Sequence, residues 1–329
     1  MRKIFQNRLK YILFLAIGVA TFYYIYRDFD FAVLQEQLSN DFQYRWVILA
    51  MFMAIVSHLF RSLRWNLVLD TDTRKVKKMN SFLSVMSSYF MNLIVPRMGE
   101  ISRCASISKT EKISFTEALG TVISERIIDM IMLMILTLVV VIGQSSKLMD
   151  FIHQNPEIGN KVTHFILNPF VISVLALLGI ASIYLGYKLL KSERLKKIAL
   201  VQSFFQGVMS IKNIQHPWRF ITYTLAIWFL YFAMDYVCFF AFDFSSDLSI
   251  MAGITVFIFG SYGMVAPVQG GMGPWHFMTV EALALYNIDK TDGLIFALVV
   301  HTAITLITFI TGGICALVLP FVTPNEKTK

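Results

Sequence analysis

The chain has 329 residues, of which 56% are hydrophobic and only 15% are charged, and its formal net charge is +8. A soluble domain of this size would need more polar residues to cover its surface, so the composition excludes that class. The basic residues lie at the ends of apolar blocks, without interleaved aromatic side chains. This pattern argues against a nucleic-acid partner and favours anionic lipid headgroups.

About eight apolar blocks predict an all-α polytopic membrane protein, because about 18 apolar residues suffice to cross a bilayer as a helix. The first block lacks a small-x-small cleavage site, so we expect a retained helix and not a signal peptide. We expect about six full transmembrane helices. The blocks cover about 11–26, 45–60, 80–96, 118–142, 169–187, 219–242, 250–266 and 294–320, with a shorter block at 276–286.

The charges of the connecting segments predict the orientation of the chain. Lys and Arg accumulate in the N-terminal tail, after block 45–60 and after block 169–187, whereas the segments after 11–26 and 219–242 are acidic. Because Lys and Arg collect on the cytoplasmic side, both termini are predicted to be cytoplasmic. The expected location is the inner membrane of a cell, with several crossings.

Two blocks are predicted to enter and leave the membrane on the same side. Block 80–96 has basic segments on both flanks, and the stretch 250–286 has polar or acidic segments on both flanks. Broken helices at membrane depth are tolerated where protein or a wet cavity covers the backbone. Two such re-entrant elements of opposite orientation predict an inverted-topology repeat, with halves 1–142 and 143–329 in one membrane domain.

The first predicted break is rich in charge. A proline and a glycine end the helix there, and guanidinium groups suit the bidentate binding of phosphate, which a lipid headgroup supplies. The alternative is a cytoplasmic loop whose arginines face water or generic lipid. The candidate residues are Asn92, Pro96, Arg97, Gly99, Glu100 and Arg103.

The second predicted break contains three glycines between two prolines, which excludes a helix interior. The helix that restarts after the break would point its positive N-terminal end towards an anion, and the glycines would offer backbone amides. The alternative is a flexible external loop, against which its apolar flanks argue. The candidate residues are Pro267, Gly270, Gly271, Gly273, His276 and Glu281.

Charged residues also occur inside the block 118–142. Glu125, Arg126 and Asp129 lie on or near one helix face, and such groups in a membrane normally face a partner or a wet cavity. We expect them to balance arginines of the first break, or alternatively to form a purely structural salt bridge. Arg61 and Arg64 are expected to extend to the inner headgroups.

Other polar residues give weaker signals. Asp235 lies in the middle of an apolar block, as either a proton-coupling group or a packing residue. Cys104, Cys238 and Cys315 lack the spacing of a metal site or a disulfide framework. No metal, no cofactor and no catalytic constellation is predicted, so the chain is not expected to be an enzyme.

Two stretches resemble a known family. The first consists of the runs NLIVPRMGEISRCASISK and SFTEALGTVISERIIDMIML, and the second is the later run PVQGGMGPWHFMTVEAL. They are similar to motifs of the flippase-like domain, also called the lysylphosphatidylglycerol synthase transmembrane region. The resemblance covers essentially the whole chain and implies lipid movement across the bilayer. One departure is Trp275-His276, where family members often place an acidic residue, so the acidic role in the second half is open.

The resemblance does not imply aminoacylation, because the sequence given ends at Lys329 without the aminoacyltransferase module of two-part members. The leading hypothesis is a flippase or transporter for an anionic or phosphate-bearing lipid. One alternative is an intramembrane enzyme acting on lipid-linked substrates, with Glu100 or Asp235 as base. Another is a non-transporting membrane partner of a separate synthase.

Overall fold

The computed structural model describes residues 18–39, 42–154 and 199–322, together with isolated positions outside these ranges. Four of the described helices are long and apolar enough to cross a membrane, which confirms a polytopic α-helical membrane protein. The predicted block 169–187, most of block 11–26 and the basic segment 188–197 lie outside the described residues. The four helices are Tyr44–Leu69, Phe115–Gly143, Pro217–Ala241 and Lys290–Val322.

The described helices are numbered here in chain order, and α4 and α6 lie close to the predicted blocks 80–96 and 118–142. Short 3-10 turns follow α9, at Cys238–Ala241, and precede α11, at Gln269–Gly271. The helices are α1 at 18–26, α2 Phe31–Ser39, α3 Tyr44–Leu69, α4 Lys78–Ile94, α5 Met98–Glu111, α6 Phe115–Gly143, α7 Ser145–Gln154, α8 Ala199–Met209, α9 Pro217–Val237, α10 Ile250–Gly263, α11 Pro274–Ala284 and α12 Lys290–Val322.

The first predicted break is the tip of a helical hairpin formed by α4 and α5. The sequence interpretation placed a basic loop after residue 96, and this was wrong for residues 98–111, which form a helix. Gly99, Arg103, Ile107 and Thr110 are buried, and this spacing of three to four residues produces one inward face. The charged residues between them hid this periodicity.

The second predicted break is also the tip of a hairpin, formed by α10 and α11. The two helices pack closely, because a Cβ atom on Gly260 would lie 2.7 Å from the indole nitrogen of Trp275, and one on Gly263 would lie 2.6 Å from the Trp275 Cα. Real Cβ atoms do not approach so closely. The absence of a side chain at these two glycines therefore permits the hairpin.

Each hairpin packs against a long helix of the opposite half. On α4, Phe90 contacts Phe309 of α12, with ring centroids 5.1 Å apart. On α10, the Tyr262 hydroxyl lies 2.9 Å from the Thr137 hydroxyl of α6. The helices α3 and α9 also pack together. The inverted repeat and its boundary at residues 142 and 143 stay predictions.

Three segments predicted as connecting loops contain helices, namely α2, α7 and α8. Helix α8 packs on α6 with its backbone in contact at Gly120 and Gly207, where an added Cβ would overlap the facing main chain. Small residues commonly permit such close helix packing in membranes. This segment of the second half therefore contributes to the packed structure and is more than a linker.

Candidate functional site

The two helix breaks meet. The Arg97 guanidinium at the first break donates a hydrogen bond to the Val265 carbonyl at the second. The turn at Gln269–Gly271 packs against α4, and a Cβ atom on Gly270 would lie 2.7 Å from the Leu93 Cδ2 atom. The convergence predicted from the sequence is therefore present in the structure.

The first break has a compact local structure. Val95, before the proline, is extended with φ −134° and ψ 118°, as the ring of a following proline requires. Arg97 adopts the left-handed region with φ 63°, and α5 starts directly after it. The Asn92 side chain accepts a 2.7 Å hydrogen bond from the Gly99 N–H. Pro96 is buried, whereas Arg97 is exposed. The charged guanidinium of Arg97 therefore lies at the accessible surface of the tip.

The second break is held by its own polar groups. Gly270, Gly271 and Gly273 have φ of 55°, 76° and 89°, a region that side chains disfavour. The Gly273 N–H donates to His276 Nδ1 at 3.3 Å, and His301 Nε2 lies 2.9 Å from the Gly270 carbonyl. The two imidazole rings are 4.5 Å apart between centroids. These contacts satisfy backbone groups that the break would otherwise leave unpaired.

Fewer free amides remain at the second break than the sequence suggests. The Met272 N–H donates to the Gln269 carbonyl at 3.0 Å, and the Gly273 N–H is used by His276. Pro274 has no N–H to offer. The N–H groups of Met272 and Gly273 are therefore already used within the break.

Glu125 lies at the centre of a buried ion network. Its Oε2 atom is 2.7 Å from Arg103, and its Oε1 atom is 3.4 Å from Arg64. The side chains of Glu125 and Arg64 are 0% exposed. The Arg103 guanidinium also lies 4.6 Å from the Trp65 ring centroid, a cation–π contact. Arg103 is therefore already engaged on two sides and is not a free ligand for phosphate.

Asp129 extends the same network one helical turn along α6. It contacts Arg61 at 2.9 Å and Arg64 at 2.8 Å, and it lies 3.7 Å from Arg126. The prediction that Arg61 and Arg64 reach the inner headgroups was wrong, because both side chains are buried. Arg61 and Arg64 lie about one helical turn apart in α3, and the two acids Glu125 and Asp129 lie about one turn apart in α6. This equal spacing is the signal that could have paired them.

The network opens to the surface at Arg126. This side chain is 44% exposed and its Nε atom lies 2.9 Å from Glu100. Glu100 belongs to the first turn of α5, and Arg97 caps that turn. The open end of the network therefore lies about one helical turn from the tip where the breaks meet.

The network has an uneven charge count. Within the described part of the chain, it contains four arginines and three carboxylates, so it carries one excess positive charge. Burial makes such a charge costly unless an anion accompanies it. The members are Arg61, Arg64, Arg103, Arg126, Glu100, Glu125 and Asp129.

A polar belt continues from the network towards α4 and α9. Arg61 donates to the Tyr231 hydroxyl at 3.3 Å, and this hydroxyl lies 3.3 Å from the Tyr89 hydroxyl. The Tyr89 ring packs on the buried His58 imidazole with centroids 4.0 Å apart. The sequence did not indicate Tyr89 or Tyr231, because an isolated tyrosine in an apolar block has no distinguishing pattern.

The remaining predicted residues lie apart from the ion network. Pro267 is exposed, and His276 is buried at the start of α11. Glu281 is partly buried about two turns into α11, and it forms no ion pair among the described residues. The structure thus brings the charged first-half candidates together and leaves the second-half candidates outside the ion network.

Comparison with known proteins agrees with this architecture. A UPF0104 membrane protein of Methanocaldococcus jannaschii is 22% identical to the chain over 309 residues, which cover 86% of this chain and 88% of the relative. No solved structure gave a significant match. The sequence model described as the lysylphosphatidylglycerol synthase TM region matches residues 11–312. The chain therefore belongs to the lysylphosphatidylglycerol synthase transmembrane region family.

Proposed function

We propose that this protein moves an anionic, phosphate-bearing lipid between the leaflets of the membrane. One observation carries the proposal: a buried ion network with an excess positive charge opens at Arg126, beside the meeting point of two helix breaks. A lipid phosphate would supply the missing negative charge. The acyl chains would stay in the surrounding bilayer.

The exposed arginines are the proposed headgroup ligands. Arg97 and Arg126 lie at the open end, and both guanidinium groups are partly accessible. A guanidinium binds phosphate through paired N–H donors of fixed geometry. Glu100 would release Arg126 in part when a phosphate competes for it.

The buried arginines have a different proposed role. Arg61, Arg64 and Arg103 already contact carboxylates and are at most 5% exposed. They would hold a positive potential under the site, because charges in a medium of low polarity act over longer distances than in water. They are positioning and electrostatic residues, and they do not touch the phosphate.

The second break is the proposed neutral wall of the site. Its glycine turn contacts Leu93 and its Val265 carbonyl accepts from Arg97. A headgroup entering between the tips would replace this carbonyl as the acceptor of Arg97. We propose that the two hairpins give alternating access to the site from opposite sides, as in transporters with inverted repeats.

A reconstitution experiment tests the proposal. Purified protein is placed in vesicles of phosphatidylethanolamine and phosphatidylglycerol that contain fluorescent phosphatidylglycerol, and dithionite quenching reports inward and outward movement. We expect Arg97→Gln and Arg126→Gln each to slow the movement roughly ten- to hundredfold, because a hydrogen bond to a charged group contributes about 1.5–3 kcal/mol. Arg27→Gln is the matched control, since Arg27 is an exposed arginine bound to its neighbour Asp28.

The same vesicles test lipid selectivity. We expect fluorescent phosphatidylglycerol to move faster than fluorescent phosphatidylcholine, because the latter carries no net negative charge to match the network. Equal rates for both lipids, or wild-type rates in both arginine variants, would contradict headgroup recognition at this site.

Mass spectrometry of the lipids separates the proposal from the enzyme alternative. A transporter leaves every lipid mass unchanged, whereas an enzyme using Glu100 or Asp235 as base changes the mass of its substrate. Co-purification of a synthase, with loss of phenotype when that synthase is deleted, would instead favour a partner role.

We propose the inner membrane as the location, with both termini cytoplasmic. The turn after α3 and the segment before α9 lie at one end of the molecule, where Gln215 donates to Asp72 at 2.7 Å. This end also carries Arg74, Lys75 and Lys77, and basic residues mark the cytoplasmic side. Thiol labelling of single cysteines at residues 75 and 247 in intact cells tests this orientation.

A further inference from the structure

A single carboxyl group lies inside the apolar part of α9. Asp235 is 7% exposed, and it lies two residues from the end of a helix that is apolar enough to cross a membrane. Among the described residues no side chain or backbone group forms an ion pair or hydrogen bond with its carboxylate. An ionised carboxylate without a partner at this depth costs several kcal/mol.

Among the described elements, those packed against α9 offer no counter-charge at this level. Helix α3 runs antiparallel to α9, since Arg61 contacts Tyr231 and Trp46 contacts Phe240. Asp235 therefore faces the α3 stretch between Trp46 and Arg61. Between these two residues, His58 is the only titratable side chain. Arg61 itself is held by Asp129.

The other neighbours are equally neutral. The titratable residue of α10 is Tyr262, which lies at the far end and contacts Thr137. The 3-10 turn after α9 contributes Cys238, whose thiol donates to the Met234 carbonyl at 3.2 Å. A metal cation would require several oxygen ligands, and these neighbours do not supply them. A proton is the one cation that a lone carboxylate binds without further ligands.

A chain of polar contacts extends from the proposed headgroup site to within one helical turn of this carboxyl group. Tyr231 precedes Asp235 by one helical turn, on the same face of α9. The Tyr231 hydroxyl accepts a hydrogen bond from Arg61, and Arg61 forms an ion pair with Asp129 of the ion network. Asp235 therefore lies one helical turn from a tyrosine that a single arginine connects to the ion network.

We propose that Asp235 is a proton-binding site whose proton is exchanged during the transport cycle. In the conformation seen here the group is a neutral carboxylic acid. Exposure to water in another conformation would release one proton and leave a carboxylate, and rebinding would restore the acid. This inference rests on the proposed lipid transport, although proton binding itself can be measured without transport.

Infrared difference spectra against pH, recorded on the full chain in lipid nanodiscs, test proton binding directly. We expect the band of a protonated carboxyl group to be present in the wild type at neutral pH and lost in Asp235→Asn, which has the shape of the acid. Asp235→Glu should retain such a band. Asp247→Asn is the matched control, because Asp247 is an exposed aspartate in the loop after α9. An unchanged band in Asp235→Asn would overturn the proposal.

Transport under an imposed gradient tests the coupling. Fluorescent phosphatidylglycerol should move several-fold faster in wild-type vesicles when a pH gradient is applied, and Asp235→Asn should lose this response while Asp247→Asn keeps it. A response to a sodium gradient in place of a proton gradient would overturn the proposal. If the wild type moves no lipid at all, the proposed function fails, and the infrared result still decides whether Asp235 binds a proton.

Discussion

The two helix breaks occupy corresponding places in the two halves, yet they are chemically unlike. The first break carries Arg97 at its tip and lies one turn from a network of four arginines. The second has no charged side chain between Met264 and His276, and its backbone is held by His276 and His301. The difference teaches that two helical hairpins of similar form can carry different chemistry, with charge at the tip of one and an uncharged glycine turn at the tip of the other.

The largest expected effect comes from removing the charge of Glu125, the buried carboxylate at the centre of the ion network. Replacing Glu125 with Gln should destabilise the protein by about 3–5 kcal/mol, because it leaves Arg64 and Arg103 buried without their shared counter-charge. Thermal unfolding in detergent, followed by size-exclusion fluorescence, measures the loss. Glu117→Gln is the control, since its pair with Arg74 is partly exposed and should contribute about 1 kcal/mol or less. Equal losses in the two variants would contradict the larger contribution expected of the buried ion network.

Gly99→Ala should have the next largest effect. A Cβ atom at this position would overlap the Ser88 carbonyl and the Asn92 side chain across the first hairpin. Overpacking of this kind costs about 1–3 kcal/mol. The unfolding midpoint reports the loss, and Gly313→Ala is the control, because its Cβ would meet only the Phe90 ring at 3.4 Å. A wild-type midpoint for Gly99→Ala would show that the hairpin opens readily.

Gly270→Ala tests the second break at a smaller scale. Its φ of 55° belongs to the left-handed region, which costs an alanine roughly 1–2 kcal/mol. The contact partner of the new methyl group is the flexible end of Leu93, so steric overlap adds little. The expected midpoint shift is smaller than that of Gly99→Ala. A larger shift would mean that the neutral break is the more rigid of the two.

Arg97→Gln should leave stability nearly unchanged, within about 1 kcal/mol, because an exposed polar contact contributes little. The same variant is expected to lose most lipid movement. Combined unfolding and vesicle measurements on one preparation therefore separate recognition from folding. A variant that unfolds early and transports poorly would assign Arg97 a structural role in joining the two tips.

Much of the fold could be predicted from the sequence, because the length of each apolar block and the charge of each connecting segment are local properties of the sequence. The prolines at 96 and 274 marked both breaks correctly, since proline cannot continue a helix hydrogen bond. Helix α5 was missed because its inward residues include Gly99, Arg103 and Thr110, so it lacks the apolar stripe from which helices are recognised.

The candidate site was only partly predictable. Glu125, Arg126 and Asp129 stood out because charges are rare inside apolar blocks, but their partners on α3 were assigned to the membrane surface. An arginine near a helix end has the same local pattern whether it turns towards lipid or inwards. Only the tertiary position of α6 beside α3 decides the direction, and no local signal in either segment encodes that position.

The placement of the ion pairs has a mechanical consequence. Every ion pair in the described part of the chain joins residues numbered below 142. The polar contacts of arginines that reach the later residues end on neutral oxygen atoms, namely those of Thr224, Tyr231 and Val265. Among the described residues, the displacement of one half against the other that the proposed alternating access requires would therefore not pull opposite charges apart in a medium of low polarity.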